Sequence, residues 1–207
     1  ELPDGDQKAE LRQQHEQLEA ATRRLFDIGG YIAGLMSQTE SRELRGLSVS
    51  GTLKRFSEQF ESYMFKQRVQ FEPISVDPSS LRTTEMHASE FDSVLLNFLT
   101  NSIKSMKKAR VSQRKIRMDA RRDGKHIVLG FEDNGVGVPD QQRDRIFDAF
   151  YTTTLTSEDD GVAGPGTGLG LKIVSDIAKS YGGSVSVVDA SEGYSCRFEF
   201  RILSSEA

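Results

Sequence analysis

Two glycine-containing segments place the strongest constraint on what this chain can fold into. The first is Asp133-Asn134-Gly135-Val136-Gly137, which follows a predicted strand and puts a carboxylate beside bare backbone that leaves room for a flat ligand. The second is Gly166-Thr167-Gly168-Leu169-Gly170-Leu171, which opens a predicted helix whose unpaired N–H groups can hold phosphate oxygens. Together the two segments predict the two ends of one nucleotide pocket.

A pair of asparagines precedes both segments. Asn97 and Asn101 are four residues apart in a predicted helix and therefore face the same side. Asparagine is unfavourable in a helix interior, and its amide oxygen is a suitable ligand for Mg²⁺. Each feature alone is weak, because Asp-Asn-Gly is more often a tight turn and a glycine-rich helix start often only marks close packing. In combination they indicate a nucleoside-triphosphate site.

The order of the predicted elements indicates the fold class. Asp123-Gly124 is a hairpin signal, and Gly182-Gly183 is a typical helix end. Residues 74–84 are predicted to be loop or irregular strand. The other elements are predicted as helix 52–67, strand 69–72, helix 90–109, strands 115–122 and 125–132, helix 141–150, helix 169–181, and strands 184–189 and 194–203. We therefore predict an α+β two-layer sandwich with a mixed, largely antiparallel sheet and helices on one face.

Residues 1–46 predict a helical arm that precedes a domain over residues 47–207. Leu11, Leu18, Leu25 and Ile32 recur every seven residues in a seam that Gln14 interrupts. The charged opposite face favours pairing with a second copy, and hence a homodimer, over a helix that lies on the domain. His15 is interpreted as a solvated residue rather than a phosphoacceptor, because no proline follows it closely and little helix precedes it.

Composition excludes several other classes of function. A net charge of −4 gives no reason to expect nucleic-acid binding. The single cysteine, Cys196, rules out a disulfide framework and is predicted to be a buried structural thiol. No apolar run approaches the roughly 18–20 residues that span a bilayer. We therefore expect a cytoplasmic protein, which could also be the cytoplasmic part of a membrane-bound sensor.

Four segments of the chain, taken in this order, resemble the N, G1, F and G2 boxes of sensor histidine kinases. These kinases belong to the gyrase, chaperone, histidine kinase and MutL ATPase superfamily, and the resemblance covers roughly residues 47–203. The segments are Leu96-Asn97-Phe98-Leu99-Thr100-Asn101-Ser102-Ile103-Lys104, Asp133-Asn134-Gly135-Val136-Gly137-Val138-Pro139, Ile146-Phe147-Asp148-Ala149-Phe150-Tyr151-Thr152-Thr153 and Gly166-Thr167-Gly168-Leu169-Gly170-Leu171.

The resemblance implies ATP and Mg²⁺ as ligands and a role for each matching position. Asp133 would accept the adenine amino proton, Asn101 would bind Mg²⁺, and Lys104 would neutralise phosphate charge. Phe147 and Phe150 would anchor a mobile lid over residues 151–165. Asn97, Asn101 and Lys104 would act in catalysis. The expected nucleotide-binding residues are Asp133, Gly135, Gly137, Phe150, Thr153, Gly166, Thr167, Gly168, Leu169, Gly170 and Leu171.

One position distinguishes a kinase from a hydrolase. In the hydrolytic members of the superfamily a glutamate activates water one turn before the Mg²⁺ asparagine, whereas this chain has Asn97 there. An amide cannot act as a general base near neutral pH, so the γ-phosphoryl would be kept for a histidine imidazole. The alternatives are an ATP-gated dimerising module without kinase activity and a docking domain that no longer binds nucleotide.

The chain departs from the family pattern in its lid. Many relatives have a lysine or arginine where this chain has Thr154, and Arg143 or Arg145 could compensate. The lid is also longer and more acidic than the common glycine-rich version. The heptad arm resembles the second helix of a dimerisation and phosphotransfer domain, which would place the acceptor histidine before Glu1. The resemblance further implies a response regulator receiver domain as a partner.

Overall fold

The computed structural model describes residues 43–76, 81–151 and 168–205. Three groups of predictions therefore lie outside the described residues. They are the heptad arm with His15, the greater part of the lid, and the positions Thr153, Gly166 and Thr167.

Three helices and eight strands form the described part of the chain. The helices are α1 (Val49–Lys66), α2 (Ala88–Lys108) and α3 (Gly170–Ser180). The strands are β1 (Arg45–Ser48), β2 (Val69–Phe71), β3 (Ser75–Val76), β4 (Arg82–Met86), β5 (Arg114–Asp123), β6 (His126–Asp133), β7 (Ser184–Val188) and β8 (Cys196–Leu203).

The main sheet is mixed and largely antiparallel, as predicted. Its order is β2-β5-β6-β8-β7, and β3 also pairs with β5. Strands β2 and β3 run parallel to β5, whereas the β5–β6, β6–β8 and β7–β8 pairs are antiparallel. The α+β fold class is therefore confirmed.

Alternating side chains direct one face of the sheet toward the helices. Ile116, Met118 and Ala120 of β5 are buried, while the residues between them are charged or polar and lie on the outer face. Helix α2 presents one apolar side to this core, as its spacing predicts. The predicted core residues of α2 are all buried: Phe91, Val94, Leu95, Phe98, Ile103 and Met106.

Glycine ends α3 as the sequence predicts. Gly182 has a φ of +66°, and its N–H donates to the carbonyl of Lys179 at 3.1 Å, while the N–H of Gly183 donates to Ala178 at 2.9 Å. This is the Schellman arrangement, which satisfies carbonyls of the last turn. A side chain at Gly183 would overlap the carbonyl of Arg201, so the helix end lies close against β8.

Three sequence expectations differ from the structure. Residues 74–84 were expected to be loop or irregular strand, whereas residues 82–86 form a strand that pairs with β1. Only Thr83 and Met86 of this strand are buried, so buried and exposed positions do not alternate along it. The helix expected over 141–150 is replaced by two short 3-10 turns, Asp140–Gln142 and Arg145–Phe147. The β5–β6 turn consists of Gly124 and Lys125, and Gly124 has a φ of +59°, as the first central residue of a type II′ turn requires.

Candidate functional site

The carboxylate of Asp133 lies at the end of β6, enclosed between the sheet and α2. The residue is 1% exposed. The hydroxyl of Ser102 donates to Oδ2 at 2.7 Å, and the N–H of Gly135 donates to Oδ1 at 2.9 Å. Burial raises the pKa of Asp133, and the hydrogen bonds from Ser102, Gly135 and Ser105 partly offset that increase. The site therefore holds a carboxylate in an environment that disfavours its charge.

Gly135 and Gly137 lie close against the backbone of neighbouring elements. A Cβ atom at Gly135 would lie 2.7 Å from the backbone carbon of Ser105 and 2.8 Å from the backbone nitrogen of Met106. At Gly137, where φ is +71°, a Cβ would lie 2.7 Å from the carbonyl oxygen of Ser195. Both glycines thus allow the turn to approach neighbouring backbone, and their role in leaving room for a flat ligand stays a prediction.

Asn134 fixes the same turn to the start of β5. Its Oδ1 accepts the N–H of Lys115 at 2.9 Å, and its Nδ2 donates to the carbonyl of Gln113 at 2.8 Å. On the other side of the turn, the N–H of Val136 donates to the hydroxyl of Ser105 at 3.0 Å. The turn after Asp133 is therefore held by both β5 and α2.

Helix α2 also contacts the start of α3. Nδ2 of Asn97 donates to the carbonyl of Ser93 at 2.9 Å, which orients the amide. A Cβ at Gly170 would lie 2.3 Å from Oδ1 of Asn97, so Asn97 lies directly against the first residue of α3. Asn101 and Lys104 follow one and two turns later and are both partly buried.

The first turn of α3 begins at Gly170, directly after the N-cap residue Leu169. Leu169 precedes the helix and makes no capping hydrogen bond through its side chain, so within residues 43–76, 81–151 and 168–205 this helix start has no side-chain cap. Helix termini in this state commonly bind an anion, since the orphan donors and the helix dipole both favour negative charge. Gly168, with a φ of +68°, has no room for a side chain because a Cβ would lie 2.6 Å from the backbone carbon of Phe150.

The end of the third motif meets the glycine segment through its backbone. The N–H of Phe150 donates to the carbonyl of Gly168 at 3.0 Å. Phe150 is 74% exposed, while Phe147 packs against the hydrophobic core. Of the two expected anchors, only Phe147 therefore uses its side chain for packing within the described residues.

The two arginines that could replace a missing lid cation are both engaged elsewhere. Arg143 forms ion pairs with Asp140 and Asp189 at 2.8 Å, and the hydrogen bond to Asp189 is the main reason that its pKa is raised. The guanidinium of Arg145 lies 5.1 Å from the ring centroid of Tyr151, as in a cation–π contact.

Cys196 is a buried thiol, as predicted. It lies directly opposite Asp133 in the β6–β8 pair and is 3% exposed. Burial, followed by the nearby Asp133 carboxylate, raises its pKa, so the thiol stays protonated and unreactive.

Helix α2 thus brings the predicted site residues together. Asn97 contacts the start of α3, Ser102 binds Asp133, and Ser105 binds the following turn. Asn97 and Ser105 are about 12 Å apart along the helix axis at 1.5 Å per residue. Ser102 and Ser105 were not predicted as site residues from the sequence. Their spacing of three, on the side that also carries Asn101, is the signal that could have identified them.

The amino-acid sequence of the chain is similar to those of known proteins. The family described as "Histidine kinase-, DNA gyrase B-, and HSP90-like ATPase" matches residues 86–206. The sensor protein KdpD of Escherichia coli is 34% identical over 125 residues, which are 60% of this chain and 13% of KdpD. The chain therefore spans a small fraction of the length of this curated relative.

Solved structures of the histidine kinase ThkA share the fold. The catalytic domain of ThkA has a TM-score of 0.62 at 22% identity, over 78% of this chain and 95% of that domain. ThkA in complex with response regulator protein TrrA has a TM-score of 0.63 at 18% identity, over 98% of this chain and 53% of that chain.

Proposed function

The chain belongs to the family of histidine kinase-, DNA gyrase B- and HSP90-like ATPases, and from this premise we propose that it binds ATP between α2 and α3 and transfers the γ-phosphoryl group to a histidine of a dimerisation helix. The observation that carries the proposal is the contact of one helix, α2, with both ends of the pocket. Ser102 binds Asp133, and Asn97 lies against Gly170.

Asp133 would recognise the adenine. Its carboxylate can only accept hydrogen bonds when ionised, which matches the exocyclic amino group of adenine and not the carbonyl at that position of guanine. Ser102 and Gly135 each donate a hydrogen bond to one oxygen of the carboxylate and so fix its orientation. Gly135 and Gly137, which carry no side chain, would leave space for the base at this end of the pocket.

The first turn of α3 would hold the phosphate groups. The N–H groups of Gly168, Leu169, Gly170 and Leu171 suit an anion, because Leu169 provides no side-chain cap for the helix start. Phe150, Thr153, Gly166 and Thr167 would complete the nucleotide contacts from the adjoining segment. Lys104, on α2, would supply a cation toward the same ligand.

Asn101 would hold Mg²⁺ through its amide oxygen. Among the described residues there is no group of three or more His, Cys, Asp or Glu side chains that could hold a metal ion alone. Mg²⁺ bound with a nucleotide is usually held by one or two protein side chains together with phosphate oxygens and water, and Asn101 would be such a side chain. The ion would supply charge neutralisation for phosphoryl transfer.

The amide of Asn97 favours transfer to histidine over hydrolysis. Asn97 lies one turn before Asn101, where it is tied to Ser93 and packed against Gly170. An amide offers no basic group to activate water. A neutral imidazole needs no such activation, because it is itself a good nucleophile. The remaining task of the protein would be to position the reacting groups.

A response regulator and a second copy of the chain are the proposed protein partners. The solved complex of ThkA with response regulator TrrA supports the first, and the heptad seam from Leu11 to Ile32 supports the second. Among the residues that the structure describes, no helix is sufficiently long and apolar to cross a membrane. Any attachment to a membrane would come from a longer receptor of which this chain is the cytoplasmic part.

Calorimetry with a non-hydrolysable ATP analogue tests the binding step. We expect Mg²⁺-sensitive binding that a GTP analogue does not reproduce. Asp133→Ala should abolish binding, while Asp189→Ala, which changes an exposed carboxylate, should leave it intact. Equal binding of both nucleotides, or normal binding by Asp133→Ala, would refute the pocket assignment.

Labelled ATP tests the transfer step. The chain is incubated with γ-labelled ATP, Mg²⁺ and a histidine-bearing dimerisation helix pair, and the product is examined for an acid-labile phosphoryl group. We expect transfer that Asn101→Ala removes. Slow release of phosphate with no labelled histidine would instead favour the ATP-gated module without kinase activity.

A further inference from the structure

A groove lies at the corner of the molecule where α1 ends and β2 and β5 begin. Its volume is about 680 Å³. It is separate from the residues proposed to bind ATP, although its β5 wall is linked to them through the hydrogen bonds of Asn134 to Gln113 and Lys115. The lining residues are Phe65, Lys66, Arg68, Val69, Gln70, Ser112, Gln113, Arg114 and Lys115.

The groove is lined by cations and by no acidic side chain. Lys66, Arg68, Arg114 and Lys115 contribute four positive charges in a chain whose net charge is −4. Among the described residues, none of these four cations forms an ion pair with a carboxylate. Arg114 is held in place because its Nη1 donates to the carbonyl of Gln67 at 2.7 Å.

Arginines elsewhere on the same sheet are arranged differently. Arg117 is paired with Glu132, and Arg197 is paired with Asp119 and Glu199. Arg117 and Arg197 are therefore neutralised by carboxylates on the outer face of the sheet, whereas the groove is left positive. An occupant with negative charge would complete the pattern.

Helix dipoles account for only part of this charge. Lys66 and Arg68 lie at the C-terminus of α1, where a cation is favoured. A helix C-terminus carries a partial charge of about −0.5. The C-terminus of α1 therefore offsets only a small part of the four positive charges. Arg114 and Lys115 belong to β5, and the dipole of α1 does not explain their presence.

An exposed aromatic ring lies among these charges. Phe65 is 84% exposed, whereas Phe56 on the same helix is 2% exposed. A single exposed apolar side chain is common on protein surfaces, so Phe65 is informative only because it lines the same groove as the four cations. One exposed ring beside four cations suits an occupant that carries both negative charges and an apolar side chain.

We propose that this groove docks an acidic segment of a partner protein, with carboxylates on Lys66, Arg68, Arg114 and Lys115 and an apolar side chain on Phe65. Aromatic and arginine side chains are the residues that most often dominate such interfaces. An occupant would lie beside the turn that follows Asp133, because Asn134 fixes that turn to the groove wall.

Fluorescence anisotropy of the full chain with a short labelled peptide tests the proposal. In the peptide, glutamates flank a single phenylalanine. We expect the wild-type chain to bind it, and Arg68→Gly to weaken binding about tenfold, the loss of one charge-assisted contact. Arg68 has a φ of 54°, a conformation that suits glycine, so this variant should fold normally.

Arg110→Gly is the matched control for charge. Arg110 has the same φ of 54°, follows the C-terminal end of α2 and does not line the groove. We expect it to bind the peptide within about twofold of wild type. Phe65→Ser should weaken binding about tenfold, while Tyr63→Ser, on the same helix outside the groove, should not.

Three outcomes would overturn the proposal. One is failure of the wild-type chain to bind the peptide, and another is an equal loss of binding in Arg68→Gly and Arg110→Gly. The third is unchanged binding in Phe65→Ser together with displacement of the peptide by inorganic polyphosphate, which would make the groove a general polyanion site. ATP binding measured in every variant separates these results from a failure of the nucleotide site.

Discussion

The carboxyl group of Asp133 is enclosed by α2 and by its own turn. Only 1% of the residue is exposed, and its pKa is raised mainly because burial disfavours the charged form. A raised carboxyl pKa means that the folded state binds the proton more tightly than the unfolded state. The folded state therefore loses stability as pH rises from the normal carboxyl pKa to the raised pKa of Asp133.

Asp133→Asn should therefore separate stability from binding. We expect its free energy of unfolding at pH 7 to equal or exceed that of the wild type, because the amide is neutral and can still bond to Ser102 and Gly135. The difference should disappear at pH values below the normal carboxyl pKa. ATP affinity should fall about tenfold or more. Urea denaturation from pH 3 to 8 and calorimetry measure the two effects.

The control for this prediction is Asp189→Asn, which removes an exposed carboxylate. It should leave both properties nearly unchanged. A lower free energy of unfolding in Asp133→Asn than in the wild type at pH 7 would mean that hydrogen bonds to the charged carboxylate outweigh its burial.

At the scale of elements, a charge network covers the outer face of the central strand β6. Arg197 on β8 reaches across Gly130 to Asp119 on β5, with donor–acceptor distances of 2.6 and 2.9 Å. A Cβ at Gly130 would lie 2.3 Å from the Arg197 guanidinium and 2.5 Å from the Asp119 carboxylate. The absence of a side chain at Gly130 is therefore what allows three strands to be bridged.

Gly130→Ala should destabilise the fold, although glycine to alanine in a strand interior is ordinarily favourable. The added methyl group would displace the bidentate ion pair, which is largely screened from water because the Arg197 side chain is only 12% exposed. We expect a loss of about 1–3 kcal/mol in urea denaturation. In an Asp119→Asn background the same change should cost much less, and an undiminished cost there would contradict the mechanism.

A second contact between elements joins the end of α3 to the beginning of α2. The Tyr181 hydroxyl donates to the carboxylate of Glu90, which is 6% exposed. The N–H of His87 donates to the same hydroxyl at 3.3 Å. This contact fixes the two helices that carry the proposed ligand groups.

Tyr181→Phe should remove about 1–3 kcal/mol of stability, because Glu90 loses a donor in a buried position. Glu90→Gln in the same background should recover part of that loss. Burial, and then the bond to Glu90, raises the pKa of Tyr181 to about 12 from a normal value of 10.0. The stability from this neutral phenol is complete below pH 10 and is lost as pH rises toward 12.

Denaturation between pH 9 and 12 measures the alkaline effect. The decline should be shallower in Tyr181→Phe, though still present because the pKa of Tyr194 is also raised to about 12, mainly by burial. If the free energy of unfolding depends on pH identically in the wild type and in Tyr181→Phe, the pKa of Tyr181 is not raised by folding.

For the whole molecule, the sequence predicted elements with strong periodicity and missed those without it. The apolar side of α2 and the strands of the β5–β6 hairpin carry clear patterns, and both were predicted correctly. The β1–β4 pair was missed because Arg82–Met86 is mostly polar and its partner lies far away in sequence. Pairings of that kind depend on tertiary contacts that no local pattern encodes.

The site shows the same division. Motif order identified the Asp133 turn and the start of α3 as parts of one site, and the structure brings both against α2. The close packing at Gly135 could not be predicted, because the backbone of Ser105 that excludes a side chain there belongs to another element. Close approach between elements is a property of packing rather than of spacing along the chain.

The oligomeric state is a property of the whole chain, and it depends on the arm. If the seam of Leu11, Leu18, Leu25 and Ile32 pairs two copies, a charge in that seam would be buried in the dimer and would oppose association. We expect sedimentation equilibrium to report a dimer for the wild type. Leu18→Glu with Leu25→Glu should shift the chain to monomer, with ATP affinity unchanged.

Gln13→Glu with Ala20→Glu is the matched control, because it adds two negative charges outside the seam. This control should remain dimeric. A wild-type monomer, together with a loss of thermal stability in the seam variant, would instead favour an arm that lies on its own domain. The two arrangements bury the same leucines against different partners, so only the concentration dependence of association distinguishes them.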